Sequence, residues 1–311
     1  MEALKNDELS VATDSSSGIA DLSYRIDRYS KAKLGALRVS SYFKTVQAGN
    51  TEAKVCNRLE NCASYLLFRH YLQTDEIKLH AAEFCKVHLL CPFCAIRRGS
   101  KGLKAYAARY EVIQSKIALK ARLKPFLVTL TVKDGSNLSE RWAHLHRSFI
   151  ALNKRRSGKG SGSSTWTSAY AGVASYEIKR GENSGLWHPH LHAIVLCAPS
   201  SLIIPSKLSK EWKEITGDSY IVDVRPIRGD GDEVITGFME VFKYALKFST
   251  MESSDVIEAW RTLKGRRLLE SFGFFRGVEI PDEFTDEPLE GQFIERLYMF
   301  YLATNKYELE A

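Results

Sequence analysis

The run His188-Pro189-His190-Leu191-His192 leads directly into Ala193-Ile194-Val195-Leu196. In a β-strand, side chains at i and i+2 leave the same face. His190 and His192 then share a face, Leu191 points to the other, and the apolar run behind them is a rigid support. Two neighbouring imidazoles suit a divalent ion. Pro189 belongs at a strand start or edge, which sets the pair near a strand end, open to a substrate. A third ligand should come from the adjoining strand. A hairpin centred on Gly181–Gly185 sets Glu177 opposite His190, so Glu177 is the expected carboxylate. Glu182, in the turn itself, is the weaker candidate.

Cysteine makes a second set. Of the six cysteines, Cys56, Cys62, Cys85, Cys91 and Cys94 fall in one stretch and Cys197 stands alone. Met1–Ser10 lacks the continuous apolar segment of a secretory signal, so clustered cysteines point to metal before disulfides. Cys91-Pro92-Phe93-Cys94 is a Cys-x2-Cys knuckle, preceded by Cys85-Lys86-Val87-His88. Four nitrogen or sulfur ligands suit structural Zn²⁺. Cys85, Cys91 and Cys94 supply three, and either His88 or Cys62 the fourth.

The third set lies on a helix expected over Val234–Phe248. At 3.6 residues per turn, Ile235, Phe238, Met239, Phe242 and Leu246 form an apolar stripe. Glu240, Tyr244 and Lys247 converge on the opposite face, with Lys243 beside them. A tyrosine turned from the stripe is no core filler. Its phenol titrates near 10 and needs help to act as a nucleophile. A metal-polarised phosphate and nearby lysines give that help. A carboxylate one turn away can serve a second nucleophile as general base.

The elements that must position these groups can be read coarsely. The polar start, with Ser15–Ser17, is expected to be disordered, and a basic amphipathic helix to cover Tyr29–Phe43. A long helix over Ile96–Ala121 carries Arg97, Arg98, Lys101 and Lys104 on its first turns. Positive charge there opposes the helix dipole, so the cluster is expected to serve an anionic partner. Strands are expected at Phe126–Val132, Ala171–Arg180, His190–Cys197 and Tyr220–Arg225, and helices at Leu138–Lys154 and Ser206–Thr216. The basic loop Lys154–Ser164 joins two of them, and the remainder reads as mostly helical.

The chain has 311 residues, 26% charged and 44% hydrophobic, which excludes low-complexity and collagen-like classes. Its net charge of +7 favours phosphate-bearing partners. No apolar run approaches the ~20 residues of a membrane span. A cytoplasmic protein with no membrane partner is expected.

Taken together, the residues from about Tyr29 to Gly277 resemble the plasmid rolling-circle replication initiators, the single-tyrosine branch of the HUH (histidine–hydrophobic–histidine) endonucleases. Phe126-Leu127-Val128-Thr129-Leu130-Thr131-Val132 is similar to the family's first motif. His188–His192 resembles the second, and Glu240-Val241-Phe242-Lys243-Tyr244-Ala245-Leu246-Lys247 the third. Cys91–Arg98, Gly265-Arg266-Arg267 and Phe272–Gly277 add support.

The resemblance implies an α+β fold: an antiparallel sheet of about five strands with packed helices, a cysteine-rich N-terminal zinc region and a helical C-terminal part. The chain is expected to divide into a disordered start (1–28), a basic, cysteine-rich DNA-binding region (29–124), an endonuclease core (125–250) and a helical C-terminal region (251–311). His190, His192 and Glu177 would hold Mg²⁺ or Mn²⁺. Tyr244 would nick one strand of the plasmid double-strand origin, leaving a 5′-phosphotyrosine and a 3′-OH primer, and the strand would later be rejoined. Glu240 would activate water at termination, with Lys247 supporting the transition state. Arg97, Arg98, Lys101 and Lys243 are the expected DNA contacts. Single-stranded DNA, a host helicase and a single-strand-binding protein are expected partners, and a homodimer is left open. Two other readings compete. One is a transposase or relaxase with the same chemistry, although relaxases usually place the tyrosine before the histidines. The other is a non-catalytic, zinc-dependent DNA-binding regulator.

Overall fold

The computed structural model describes residues 16–46, 49–160, 164–227, 232–243 and 251–310. In chain order its elements are β1 (Ser16–Ser17), α1 (Gly18–Thr45), α2 (Asn50–Asn61), β2 (Tyr65–Tyr71), β3 (Glu76–Ala82), α3 (Pro92–Ser115), β4 (Lys124–Thr131) and α4 (Leu138–Arg156). There follow β5 (Ala169–Arg180), β6 (Trp187–Cys197), α5 (Pro205–Thr216), β7 (Val222–Pro226), α6 (Asp232–Phe242), α7 (Ser253–Leu263), β8 (Leu269–Gly273), β9 (Phe293–Tyr301) and β10 (Lys306–Leu309). The fold is α+β. No helix among the described residues is long and apolar enough to cross a membrane.

The chain divides into two compact units, one of residues 1–102, 252–260 and 280–311, the other of 103–251 and 261–279. Each has its own sheet. That of the second unit is a five-stranded antiparallel sheet in the order β7-β4-β6-β5-β8. Strands β4 and β6 are central neighbours. Strand alternation divides their side chains between two faces. Val128, Leu130, Leu191, Ala193 and Val195 enter the core with Leu145 and Phe149 of α4 and Leu208 and Trp212 of α5. The indole of Trp212 donates to the Thr131 carbonyl at 2.7 Å, so the helix is fixed to the sheet by a polar bond as well as by burial.

The opposite face carries Thr129, Glu177, His190, His192 and Ile194, and α6 lies against it. A Cβ at Gly237 would stand 2.3 Å from Ile227 Cδ1 and 3.4 Å from Ile194 Cδ1. The missing side chain leaves room for Ile227 against the helix, and a larger residue would have to push that side-chain tip aside. The buried stripe of α6 is Val234, Gly237, Phe238, Val241 and Phe242, while Ile235 is exposed. The expected stripe through Ile235 is therefore turned about one position, because close approach at Gly237, and not side-chain size alone, sets which face meets the sheet.

The sheet of the first unit runs β1-β3-β2-β9-β10. Three expectations are corrected here. Helix α1 starts at Gly18, inside the stretch expected to be disordered, because Leu22, Ile26 and Tyr29 recur at helical spacing and are buried. Residues 1–15 lie outside the described residues. The C-terminal region is not mostly helical. After α7 it forms β8, β9 and β10, the last two an antiparallel hairpin turned at Asn305 (φ 57°). The aromatic and β-branched residues of Phe293–Tyr301 favour a strand, and β2 supplies its partner.

The third correction concerns Arg97 and Lys101, expected to face an anionic partner. Both are buried. Arg97 and Arg25 clamp Asp286 at 2.7 Å each, and the Leu79 amide donates to the same carboxylate at 2.6 Å. Arg97 also donates to the Phe284 carbonyl and Tyr29 hydroxyl. Lys101 Nζ lies 4.0 Å from Glu287. The counter-charge comes from 189 positions away, which helical spacing cannot disclose. Burial opposes ionisation of Asp286, but Arg97 and Arg25 outweigh it and hold the carboxyl well below its usual range. Removing one member of such a buried cluster leaves charge unpaired. Asp286→Ala is expected to destabilise this unit by about 3–5 kcal/mol in urea unfolding. Since the folded pKa is depressed, the carboxylate's contribution is fully present above about pH 4 and is lost as pH falls through the folded value. An unchanged urea midpoint at pH 7 would count against the clamp.

Candidate metal centres

The turn Gly181–Gly185 closes β5 onto β6 with Glu177 paired to His190. One carboxylate oxygen, Glu177 Oε2, lies 3.4 Å from His190 Nε2 and 3.3 Å from His192 Nε2. All three residues are buried, and their ligand atoms lie within 4.8 Å of one another. Separations of this size are those of adjacent donors about 2.0–2.2 Å from one ion. Two imidazoles and a carboxylate also make a suitable donor set. Burial opposes ionisation of Glu177, yet hydrogen bonding and charge from His190 and His192 prevail and keep it ionised below the ordinary range. Burial, more than Glu177 offsets, lowers His190 and favours its neutral, ligating form. Glu182 is exposed in the turn, 3.9 Å from Lys179, and takes no part.

Two supporting residues were not foreseen. Thr129 Oγ1 lies 3.1 Å from His192 Nδ1, which fixes the ring and leaves Nε2 toward Glu177. Thr129 pairs with His192 and Thr131 with His190 across the β4–β6 ladder. The signal was the alternation of threonine in Phe126–Val132, which puts hydroxyls on the histidine face. Asp134 lies 2.5 Å from His188 Nδ1 and accepts from Ser184 at 2.5 Å. It anchors the third histidine of the run, whose ring centroid is 5.3 Å from that of His190. His190 Nδ1 is buried with no partner among the described residues.

Glu240 lies on α6, the helix packed on this face, 2.8 Å from Lys243. Tyr244 and Lys247 lie outside the described residues.

The second centre is in the first unit. Cys62, Cys85, Cys91 and Cys94 bring four buried sulfurs together. The sulfurs lie 3.6 Å apart for Cys62–Cys91 and 3.5 Å apart for Cys62–Cys94 and Cys85–Cys94. Zn–S bonds near 2.3 Å at tetrahedral angles put sulfurs about 3.8 Å apart, so the cluster is close to the size of such a site. The Cys85 amide donates to Cys62 Sγ at 3.4 Å. Lys33 donates to the Cys62 carbonyl at 2.6 Å and Arg58 to that of Cys85, which places two cations beside the four sulfurs. Of the two candidates for the fourth position, Cys62 is in the cluster and His88 is outside it. Burial and the charge of Arg98 push His88 down to about 4. Arg98 itself is partly exposed.

Comparison with known proteins follows the same lines. The family described as "Replication protein" matches residues 76–296. Among curated proteins, a "Protein rep" of Bacillus sp. is 28% identical over 185 residues, 57% of this chain and 56% of that protein. A "Protein rep" of Bacillus amyloliquefaciens is 28% identical over 184 residues, 57% of this chain and 51% of its own length. One of Lactiplantibacillus plantarum is 25% identical over 217 residues, 66% of this chain and 65% of that protein. The chain thus aligns with about half the length of the first two. No solved structure matches it.

Proposed function

We propose, for a chain that belongs to the replication protein family, that its work is to initiate plasmid rolling-circle replication by nicking one strand of the double-strand origin. The observation that carries this reading is the Glu177 carboxylate oxygen within 3.4 Å of two imidazoles, on the sheet face against which α6, the helix leading to Tyr244, is packed.

His190, His192 and Glu177 would hold a divalent ion, Mg²⁺ or Mn²⁺, and that ion would supply Lewis-acid polarisation of the scissile phosphate. The Tyr244 hydroxyl attacks that phosphorus, its proton passing to solvent or a neighbouring base. An O–P bond to the 5′-phosphate forms, the P–O3′ bond breaks, and the departing oxygen takes a proton to become a 3′-OH primer. Lys247 stabilises the charge that develops on the phosphoryl oxygens. At termination Glu240 takes a proton from water, so that a second cleavage needs no second tyrosine. Because the phosphotyrosine conserves the phosphodiester's free energy, attack by a 3′-OH rejoins the strand.

Arg98 and Lys243 contact DNA; Arg97 and Lys101 are assigned to the interior instead. Cys62, Cys85, Cys91 and Cys94 hold a structural Zn²⁺. Origin duplex and single-stranded DNA are the substrates, with a host helicase and a single-strand-binding protein as partners.

The test is to incubate labelled supercoiled plasmid carrying the cognate origin with the protein and Mn²⁺, and to run a denaturing gel. Nicked plasmid covalently attached to the peptide containing Tyr244 is expected. Binding without any adduct, across several metals and on single-stranded origin DNA, would overturn the nickase reading in favour of a regulator.

A further inference from the structure

The far end of the β5–β8 edge carries a surface with no role in the chemistry above. Tyr170 is the extra residue where the β5–β6 register shifts between Ala169 and Ala171. Bulges re-aim side chains, and Tyr170 is 49% exposed. Its carbonyl meets Gly273 so closely that a Cβ there would stand 1.8 Å away, and Gly273 has φ +61°. The next residue, Phe274, is 50% exposed. Its carbonyl accepts from Arg109 Nε at 3.0 Å.

Two further guanidinium groups lie at this end of β8. Arg156 stacks 4.5 Å over Phe272, and its Nε is buried with no partner among the described residues. Arg276, exposed, closes the turn after β8 through its amide to the Gly273 carbonyl at 3.0 Å. Burial and the charge of Arg276 push Arg156 below its ordinary range. No ion pair joins Arg109, Arg156 or Arg276 to an acid among the described residues. Cations without a carboxylate call for an anion, and exposed rings at the same end of the edge call for something flat.

We infer that Tyr170 and Phe274, with Arg109, Arg156 and Arg276, form a platform on which a single DNA strand stacks outside the nicking site. Aromatic rings take any base by its π-face, while arginines follow the backbone. Along β5, Tyr170 is about 23 Å from Glu177 at the usual strand rise. That is about seven nucleotides at the stacked spacing. The identity of the strand rests on the function proposed above, whereas the surface itself does not.

The experiment is a length series of labelled single-stranded origin oligonucleotides, from six to thirty nucleotides, with binding read by anisotropy at several salt concentrations. Wild-type affinity should step up once the strand reaches past about seven nucleotides from the nick. The exposed-residue variant Y170A/F274A should lose that step, a weakening of about tenfold or more. R276Q should lower the salt slope by about 0.7. Nicking of oligonucleotides too short to reach the platform should be unchanged in both variants. Variants that bind every length like the wild type would overturn the platform and leave the nickase standing. Equal losses on duplex of the same sequence would also overturn it, since duplex offers no open base faces. A wild type that never nicks yet shows the step, with the variants losing it, would retain the platform and overturn the nickase.

Discussion

Glu177→Gln should lower metal-dependent nicking by at least about 10²–10³-fold, the scale on which one preorganised electrostatic contributor acts. The side chain keeps its volume and its place opposite His190, so packing is preserved. What is lost is the negative charge that makes a His-His-carboxylate set attractive to a divalent cation. Glutamine keeps the shape but not the charge through which the depressed Glu177 stabilises the fold, so the metal-free variant should also lose stability at neutral pH. Acidification separates the groups by sign. Glu177 is depressed in the folded state, so its contribution to stability is present above about pH 4 and disappears only as pH falls through the folded value. His190 is lowered by burial. Its charging therefore opposes folding, and stability on its account declines as pH falls below about 6.5. The acid limb of nicking should reflect imidazole protonation and lie below the ordinary histidine value. Urea unfolding and nicking rates on the same preparations read both effects, and nicking by Glu177→Gln at the wild-type rate would sink the assignment.

The centre of the second unit was legible because its determinants are local. The hairpin at Gly181–Gly185 fixes the register of its two strands, and period-2 alternation fixes which face His190 and His192 share. The same logic ran through Thr129 and Thr131, where the hydroxyls were visible but their partners were not. The first unit was less legible because its determinants are distant. Arg69 meets Glu295 across a separation of 226 positions, so neither β2 nor β9 announces its neighbour. Arg97 sits among basic residues at a helix start and looks like a contact for an anion. Only the return of Asp286 to the same unit turns it inward. The choice between His88 and Cys62 likewise depended on β2 and β3, which bring Cys62 and Cys85 to the Cys91–Cys94 knuckle.

Removal of the metal from the four-cysteine cluster should have the largest effect on the fold. Cys91 and Cys94 are fully buried, with sulfurs 3.5–3.6 Å from Cys62. Without a cation, thiolates at these separations repel one another, and thiols have few good acceptors in their place. With Zn²⁺ bound, the chain is tied at Cys62, Cys85 and the knuckle that starts α3. Structural zinc contributes about 10–16 kcal/mol of apparent binding free energy in small domains. Even half of that is comparable with the whole stability of an ordinary domain, about 5–15 kcal/mol. The protein should therefore contain one zinc by elemental analysis. Cys94→Ser, which nearly conserves volume, should reduce zinc content severely and expose the first unit to limited proteolysis. The sheet carrying Glu177, His190 and His192, which has its own core, should keep its protected fragment. Because thiolates must be free of protons to bind, zinc release should begin on acidification. A chelated wild type that resists protease and unfolds at the same urea concentration as the untreated protein would show that the cysteines are a packed apolar cluster and not a metal site.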